Sequence, residues 1–174
     1  MDLFDKYISP ILNYSSEVWG FHKAIEIERV HLNFCKRLLG VKKSTQNDFI
    51  YGELGRFPMQ LYRFIRIINY WLKIVTGQKS LYINSVYQDS LDNIDVTNKY
   101  SWSRSVRNLL FECGFGDVWF NQGVGNTDLF IACFKERLFD MFKQGWRSRL
   151  LDSTRALFYR EYKIDLDIVF IWTP

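Results

Sequence analysis

The sequence predicts an all-α fold, an irregular bundle of about six to eight helices. Apolar residues recur at the three- and four-residue spacing of a helix face along most of the chain. Glycine and proline stand at the ends of these periodic segments, where helices stop and start. The composition can also fill a core, since 48% of the 174 residues are apolar and 18% are aromatic. A disordered chain is therefore excluded.

The first two helices follow this spacing. Residues 3–12 carry apolar side chains at i, i+4 intervals, and Pro10 together with the Ser15-Ser16 pair limits how far that helix continues. A second helix covers residues 27–38, and Gly40 behind it can take the positive φ of a helix stop.

A short helix and a long one come next. Thr45 with Asp48 three residues later predicts an N-terminal cap, and Gly55 closes the short helix. Pro58 stands where the long helix begins, and Gly77 ends it. Residues 80–90 add one or two further helical turns.

The second half begins after a polar stretch that starts at Asp92-Asn93. Ser101 can cap a helix that ends at Gly114. Residues 127–152 form a second long periodic segment, which Gly145 could break or kink, and residues 155–163 predict a last helix. Residues 164–172 alternate weakly and fit a strand, a helix or a frayed end.

These segments predict two helical halves. Residues 1–90 form the first, residues 91–100 are a polar loop or hinge, and residues 101–174 form the second. The length suits one domain with a sizeable core, so we expect the halves to pack together.

Positive charge is concentrated in the middle of the chain. The net charge is only +4, but residues 23–79 hold eleven Lys or Arg against four acidic residues. Such a field favours polyanions, although many helical proteins carry a comparable patch that is merely solvated.

The helix predicted over residues 58–76 has one apolar and one cationic side. At 100° per residue, its larger apolar side chains, Trp71 among them, fall together, while Arg63, Arg66, Tyr70 and Lys73 fall on the other side. The helix would be ~28 Å long, so its row of cationic side chains could contact several phosphates along a duplex. The candidate nucleic-acid-binding residues are this set with four nearby cations: Lys36, Arg37, Lys42, Lys43, Arg63, Arg66, Tyr70 and Lys73. A solvated polar face is the alternative.

No catalytic set is visible. Two-metal polymerase chemistry requires clustered aspartates, and the chain has no Asp-Asp pair. Asp165 and Asp167 have no identifiable partner acid, and His22 and His31 are nine residues apart, which is not a helical zinc pair. We therefore expect no catalytic residue, no metal and no cofactor.

The cysteines and the lengths of the apolar runs indicate the cellular compartment in which the protein is expected. Cys35, Cys113 and Cys133 are widely spaced and odd in number, as in a reduced intracellular protein. No apolar run approaches the ~20 residues that span a bilayer. We expect a soluble protein of the nucleus or cytoplasm with no membrane partner.

A stretch in the first half resembles a known family. Residues 34–58, FCKRLLGVKKSTQNDFIYGELGRFP, resemble a signature near the end of jockey-like non-LTR retrotransposon reverse transcriptases. Residues 14–20, YSSEVWG, extend the resemblance, with Ser15 where the family more often has glycine. Five later positions continue it more weakly: Trp71, Trp102, Trp119, Gly145-Trp146 and Tyr159-Arg160.

The signature also has a structural interpretation. Five of its residues would form a tight helix-turn-helix corner, in which Glu53 lies within ion-pair reach of Arg56, and Tyr51 and Phe57 staple the turn. These five structural residues are Gly52, Glu53, Gly55, Arg56 and Pro58.

The resemblance implies a place beyond the polymerase palm and fingers, in a thumb-distal or linker region. The chain would then be a non-catalytic fragment of an RNA-directed DNA polymerase that helps to hold template and primer. Its partners would be the RNA or DNA backbone and the remainder of the polymerase polyprotein. The alternative is a helical protein-interaction module, a remnant or domesticated piece with no nucleic-acid role.

Overall fold

A computed structural model describes residues 3–77, 80–94 and 101–166. Over these residues the chain forms ten α-helices, a π-helical segment at Phe4–Ile8 and a 3-10 turn at Thr154–Ala156, without a strand. The helices are α1 (Ser9–Leu12), α2 (Ser16–Trp19), α3 (Ile25–Leu38), α4 (Asn47–Leu54), α5 (Met59–Val75), α6 (Leu81–Asp92), α7 (Trp102–Glu112), α8 (Gly116–Phe120), α9 (Thr127–Asp152) and α10 (Tyr159–Tyr162). The predicted all-α class is confirmed.

The predicted helix stops are confirmed at glycine. Four glycines adopt positive φ where helices end: Gly40 (66°), Gly55 (57°), Gly77 (72°) and Gly114 (83°). The cap at Ser101 is confirmed too, since its side chain accepts a hydrogen bond from the Arg104 backbone N–H at 3.5 Å.

Two expected boundary signals are wrong. Thr45 is not the N-cap of α4, because Gln46 takes that position and its side chain makes no capping bond. Pro10 does not limit its helix, because it lies in the first turn of α1, where its missing N–H leaves no helical bond unmade. The other expected limit, the Ser15-Ser16 pair, is met, because α1 ends at Leu12 and the chain turns at Ser15, whose φ of 52° is left-handed.

The C-terminal predictions are only partly met. Gly145 neither breaks nor ends α9, which continues to Asp152. The single helix expected over 155–163 is a 3-10 turn followed by α10. Residues 167–172, where several conformations were open, and residues 95–100 of the expected hinge lie outside the described residues.

The chain divides into two compact units along lines other than the predicted halves. The first unit combines Met1–Lys23 with Tyr62–Arg137, and the second combines Ala24–Leu61 with Leu138–Pro174. Each unit therefore joins segments far apart in the sequence.

Aromatic residues dominate the core of the first unit. Trp71 of α5 is fully buried, as predicted; its indole stacks on Trp119 with ring centroids 5.9 Å apart and donates a hydrogen bond to Tyr87 Oη at 2.8 Å. Phe115 packs against Phe130 and Phe134 of α9. Since Trp119 follows residue 100, Trp71 does not pack against the first half alone.

The second unit has its own core around α4. Tyr51 and Phe57 both pack edge-on against Phe142, at 5.6 and 5.8 Å between centroids. Trp146 donates its indole N–H to the Asp48 carbonyl at 2.8 Å. The core also includes Leu32, Cys35, Ile50, Leu54, Leu150, Ala156 and Leu166.

Candidate nucleic-acid interface

Helix α5 has a buried side and an exposed side, but the buried side coincides only in part with the predicted one. Ile67, Ile68, Trp71 and Leu72 are completely buried. Arg66 and Lys73 are exposed, and Tyr70 is half-buried. Because these three residues stand at i, i+4 and i+7, the helix presents them in one row.

The expected exposure of Arg63 is wrong. Its side chain is 0% exposed, and its guanidinium carbon lies 5.7 Å from the centre of the Trp19 ring. Gly20 permits this packing, since a Cβ there would come within 3.1 Å of Arg63 Cβ. Arg63 is therefore part of the interior of the first unit, where its guanidinium faces an aromatic ring.

Lys36 is likewise not a surface cation. It is 8% exposed, and its Nζ donates to the Lys43 carbonyl at 2.9 Å. This bond ties the end of α3 to the loop behind it, so Lys36 has a structural role. Arg37, Lys42 and Lys43 are exposed, as expected. They belong to the second unit, whereas Arg66, Tyr70 and Lys73 belong to the first.

A polar groove of about 250 Å³ follows the exposed side of α5. We call it the α5 groove, and its lining residues are Glu17, Arg66, Asn69, Tyr70 and Lys73. Arg66 Nη1 also donates to the Asn13 carbonyl at 2.9 Å, which fixes the guanidinium at the edge of the groove. Two cations and one carboxylate at this surface give it a net positive charge.

A second polar depression shares Asn69 and Lys73 with the α5 groove. It measures about 420 Å³ and is lined by Asn69, Leu72, Lys73, Thr76 and the start of α9, residues 126–128. Asn126 Oδ1 accepts the Leu129 N–H at 3.0 Å, and Asp128 adds a negative charge in the first turn. The carboxylate opposes an anion here, so the α5 groove is the more cationic of the two.

An apolar groove of about 230 Å³ adjoins the α5 groove at Tyr70. It lies in the same unit, and its lining residues are Val18, Tyr70, Ile74, Ile83, Val86, Tyr87, Ser90 and Trp102. Trp102 packs edge-on against Tyr70 at 6.0 Å and donates its indole N–H to the Glu17 carbonyl at 2.9 Å. Tyr87, a buried lining residue, has a pKa raised by burial, so its hydroxyl stays neutral.

Two signature residues, Tyr51 and Arg56, belong to a hydrogen-bond network of the second unit that also includes Glu28, His31 and the Met59 backbone. The Glu28 carboxylate accepts hydrogen bonds from His31 Nδ1 (3.1 Å), Tyr51 Oη (2.7 Å) and the Met59 backbone N–H (2.8 Å). Arg56 Nε donates to His31 Nε2 at 3.0 Å, so that nitrogen is the acceptor and Nδ1 carries the proton. We call Glu28, His31, Tyr51, Arg56 and the Met59 N–H the corner network.

The corner network begins helix α5. The Met59 N–H is among the backbone donors that a helix leaves without an internal acceptor, and the Glu28 carboxylate accepts it. Burial alone would raise the pKa of Glu28, but hydrogen bonds from His31 and Tyr51 outweigh it and hold that pKa below its ordinary value. Burial and the adjacent carboxylate raise the pKa of Tyr51, so the phenol remains a donor.

The expected helix-turn-helix corner is confirmed at Gly55, whose positive φ ends α4, but Gly52 does not lie at the turn. Gly52 lies inside α4, where a Cβ would clash with Tyr159 Oη and come within 2.9 Å of Trp146 Cζ2. Tyr159 Oη donates to the Phe49 carbonyl at 3.4 Å, and burial, followed by the neighbouring Glu53, raises the pKa of Tyr159. Arg56 donates to His31 Nε2 from this corner, and its ion pair with Glu53 stays a prediction.

The Cys113 thiol and the carboxylates near the C-terminus bear on nucleophilic and metal chemistry. Burial and the neighbouring Glu112 carboxylate raise the pKa of the Cys113 thiol to about 11, which disfavours the reactive thiolate. No group of three His, Cys, Asp or Glu side chains within residues 3–77, 80–94 and 101–166 could hold a metal ion. Of the two spaced aspartates, Asp165 is exposed and Asp167 lies outside the described residues.

Sequence reasoning missed Glu17, Asn69 and the whole apolar groove. The groove residues come from positions 18 to 102 and have no shared motif. The one available signal was the periodicity of α5, which places Asn69 beside Arg66 and Lys73.

Comparison with known proteins gives no relative. Neither a protein-family model, nor a curated protein, nor a solved structure matches the chain significantly. In the described part of the chain, no helix is both long and apolar enough to cross a membrane.

Proposed function

We propose that the chain is a non-catalytic part of a retrotransposon RNA-directed DNA polymerase, and that it binds the phosphate backbone of template or primer in the α5 groove. The polymerase assignment rests on the resemblance of residues 14–20 and 34–58 to jockey-like reverse transcriptases. The binding assignment rests on the groove itself, in which Arg66 and Lys73 are exposed on one face. Arg37, Lys42 and Lys43 are a second set of exposed cations.

Phosphate contact is the chemistry that suits these residues. Arg66 and Lys73 are seven residues apart, or about 10 Å along the helix axis. Asn69 lies between them and can add an amide donor. Contacts of this kind supply affinity but carry little sequence information, so binding should be weak, sequence-tolerant and salt-dependent.

The test is the salt dependence of duplex binding by fluorescence anisotropy. Arg66→Gln with Lys73→Gln should lower the slope of log affinity against log salt by about two, at ~0.9 per lost phosphate contact. Unchanged affinity and slope in this double variant would reject the α5 groove as the binding surface. Glu17→Gln should raise the affinity instead, because it removes a carboxylate that lines the groove.

Two further variants make the test specific. Lys6→Gln with Arg155→Gln changes the net charge equally at exposed positions outside the groove and should leave the slope unaltered. Arg37→Gln, Lys42→Gln and Lys43→Gln together report whether the second set of cations takes part.

The alternative, a protein-interaction module, is favoured by a different surface of the first unit. Three exposed apolar residues recur at four-residue intervals along the N-terminal helical segment: Leu3, Tyr7 and Ile11. An apolar row of this kind is typical of protein contacts, whose affinity varies little with salt. Absence of nucleic-acid binding even at low salt would favour this alternative.

A further inference from the structure

We propose that the apolar groove is a slot for one unpaired nucleobase, so that the preferred ligand is single-stranded nucleic acid rather than a duplex. This inference rests on the proposed function, because it takes the α5 groove as the site of the neighbouring phosphates. It adds a binding site made by Val18, Val86 and Trp102, none of which belongs to the cationic row.

The position of Tyr70 connects the two grooves. Tyr70 lines both of them, and it stands between Arg66 and Lys73 along α5. A strand whose phosphates meet the two cations therefore has the intervening base at the mouth of the apolar groove. The charge next to the groove thus matches the polyanionic backbone that would bring the base there.

The size and lining of the groove suit a flat ring. At about 230 Å³ it is smaller than the ~300–1,000 Å³ of pockets that enclose drug-sized ligands, so one ring system is the natural occupant. Val18 and Val86 are half or more exposed, and the rings of Tyr70 and Trp102 also line the groove. Apolar walls and aromatic rings accept the face of any base, which predicts little sequence preference.

The lining also supplies one polar group that a base edge can use. Ser90 Oγ lines the groove and is joined to Ser103 Oγ, which in turn lies 2.8 Å from Ser101 Oγ. A hydroxyl has one donor and two acceptor positions, so Ser90 retains capacity for a ligand. Because hydroxyl protons rotate, this contact fits bases of different hydrogen-bond pattern.

A paired base cannot use the groove without leaving its stack. Flipping a base from a duplex costs a few kcal/mol, whereas a single strand presents its bases at little cost. The apolar groove therefore distinguishes single-stranded from double-stranded nucleic acid, whereas Arg66 and Lys73 contact phosphates in either form. RNA and DNA single strands share this chemistry.

The experiment compares three single strands of equal length and charge, namely an oligothymidine, an oligouridine and an abasic DNA strand, with a duplex of the same number of base pairs. Anisotropy at low salt should show the two base-containing strands bound about 5- to 100-fold more tightly than the abasic strand, the range expected for stacking one base. Val86→Trp fills the groove from an exposed position and should reduce both strands to the abasic level, leaving the duplex affinity unchanged. Val30→Trp, an exposed valine of the second unit, is the matched control and should change nothing.

The outcomes separate this inference from the proposed function. If the abasic and base-containing strands bind equally, or if Val86→Trp alters none of the affinities, only phosphates are contacted and the base slot is overturned while the proposed function stands. If no ligand binds at low salt, both fail. Val18→Trp, which fills the same groove from α2, replaces Val86→Trp if a thermal melt shows that the latter is unfolded. Binding of a tryptophan peptide in the groove, without strand binding, would also overturn the inference and identify a protein-docking surface.

Discussion

The corner network and the α5 groove use similar side chains to opposite effect. In the corner network, a carboxylate with three donors and a histidine with an arginine satisfy one another beneath the start of α5. In the α5 groove, Arg66 and Lys73 are exposed at an open surface. Polar groups that hydrogen-bond to one another inside the protein hold a helix in position, whereas polar groups exposed at a groove can bind a ligand.

This contrast divides the signature from the binding surface. The most specific part of the reverse-transcriptase resemblance, residues 34–58, contributes Tyr51 and Arg56 to the corner network. The residues proposed to contact nucleic acid lie further along α5, outside the signature. A mutation in the signature should therefore affect folding first, and one in the groove should affect binding alone.

The largest expected effect is on the core beneath the apolar groove. Trp71→Ala removes a fully buried indole together with its bond to Tyr87, and the remaining cavity should lower the free energy of unfolding by about 3–5 kcal/mol. Urea unfolding followed by circular dichroism measures this loss. Trp71→Phe retains most of the ring volume and should be milder, so equal loss in the two variants would contradict a cavity effect.

The second largest loss of stability is expected when the Glu28 carboxylate is removed. Glu28→Ala leaves His31, Tyr51 and the Met59 N–H without their shared acceptor, and we expect a loss of about 2–4 kcal/mol in the free energy of unfolding. Glu26→Ala, at an exposed position of the same helix, is the matched control and should be nearly neutral. A neutral Glu28→Ala would show that the corner network does not stabilise the protein.

The same carboxylate predicts a pH dependence. Because the pKa of Glu28 is lowered in the folded protein, its stabilisation is fully present above its ordinary value of 4.5 and is lost as the pH falls through the lower folded pKa. Thermal melts between about pH 5 and pH 3 should therefore decline less steeply in Glu28→Gln than in the wild type. Parallel declines would assign the acid sensitivity to other groups.

Local signals explain how much of this could be predicted from sequence. The helix stops at Gly40, Gly55, Gly77 and Gly114 and the burial of Trp71 follow from backbone chemistry and periodicity, which act within one segment. Arg63 could not be placed in this way, because a helical wheel gives its direction but not what lies there. Trp19 and Gly20, more than forty positions earlier, enclose it.

The candidate site shows the same limit. The row of Arg66, Tyr70 and Lys73 follows from the helical period alone, and the structure retains it. Glu17, which opposes the two cations, reaches them through a tertiary contact that no spacing rule gives. The apolar groove requires α2, α5, α6 and α7 together.

The binding surface should tolerate substitution better than the network does. Arg66→Gln with Lys73→Gln removes exposed charges, so the free energy of unfolding should change by less than about 1 kcal/mol while the salt slope falls. Chemical denaturation of the variant used for anisotropy measures this. A large loss of stability would show that the hydrogen bond from Arg66 to the Asn13 carbonyl stabilises the fold. The α5 groove would then contribute to stability as the corner network does.

The smallest expected effect concerns the turn that precedes one wall of the groove. Ser15 takes a left-handed φ of 52° immediately before α2, which carries Glu17 and Val18. A side chain is strained in this conformation and glycine is not, although glycine adds flexibility to the unfolded chain, so Ser15→Gly should stabilise the protein by roughly 0.5 kcal/mol. Ser16→Gly is the matched control, because Ser16 is buried in the first turn of α2, and it should instead destabilise by about 1 kcal/mol. Urea unfolding measures both changes in the free energy of unfolding. A gain of stability in Ser15→Gly with a loss in Ser16→Gly would establish that the turn is strained. A loss of stability in both variants would show that Ser15 adopts this conformation without strain.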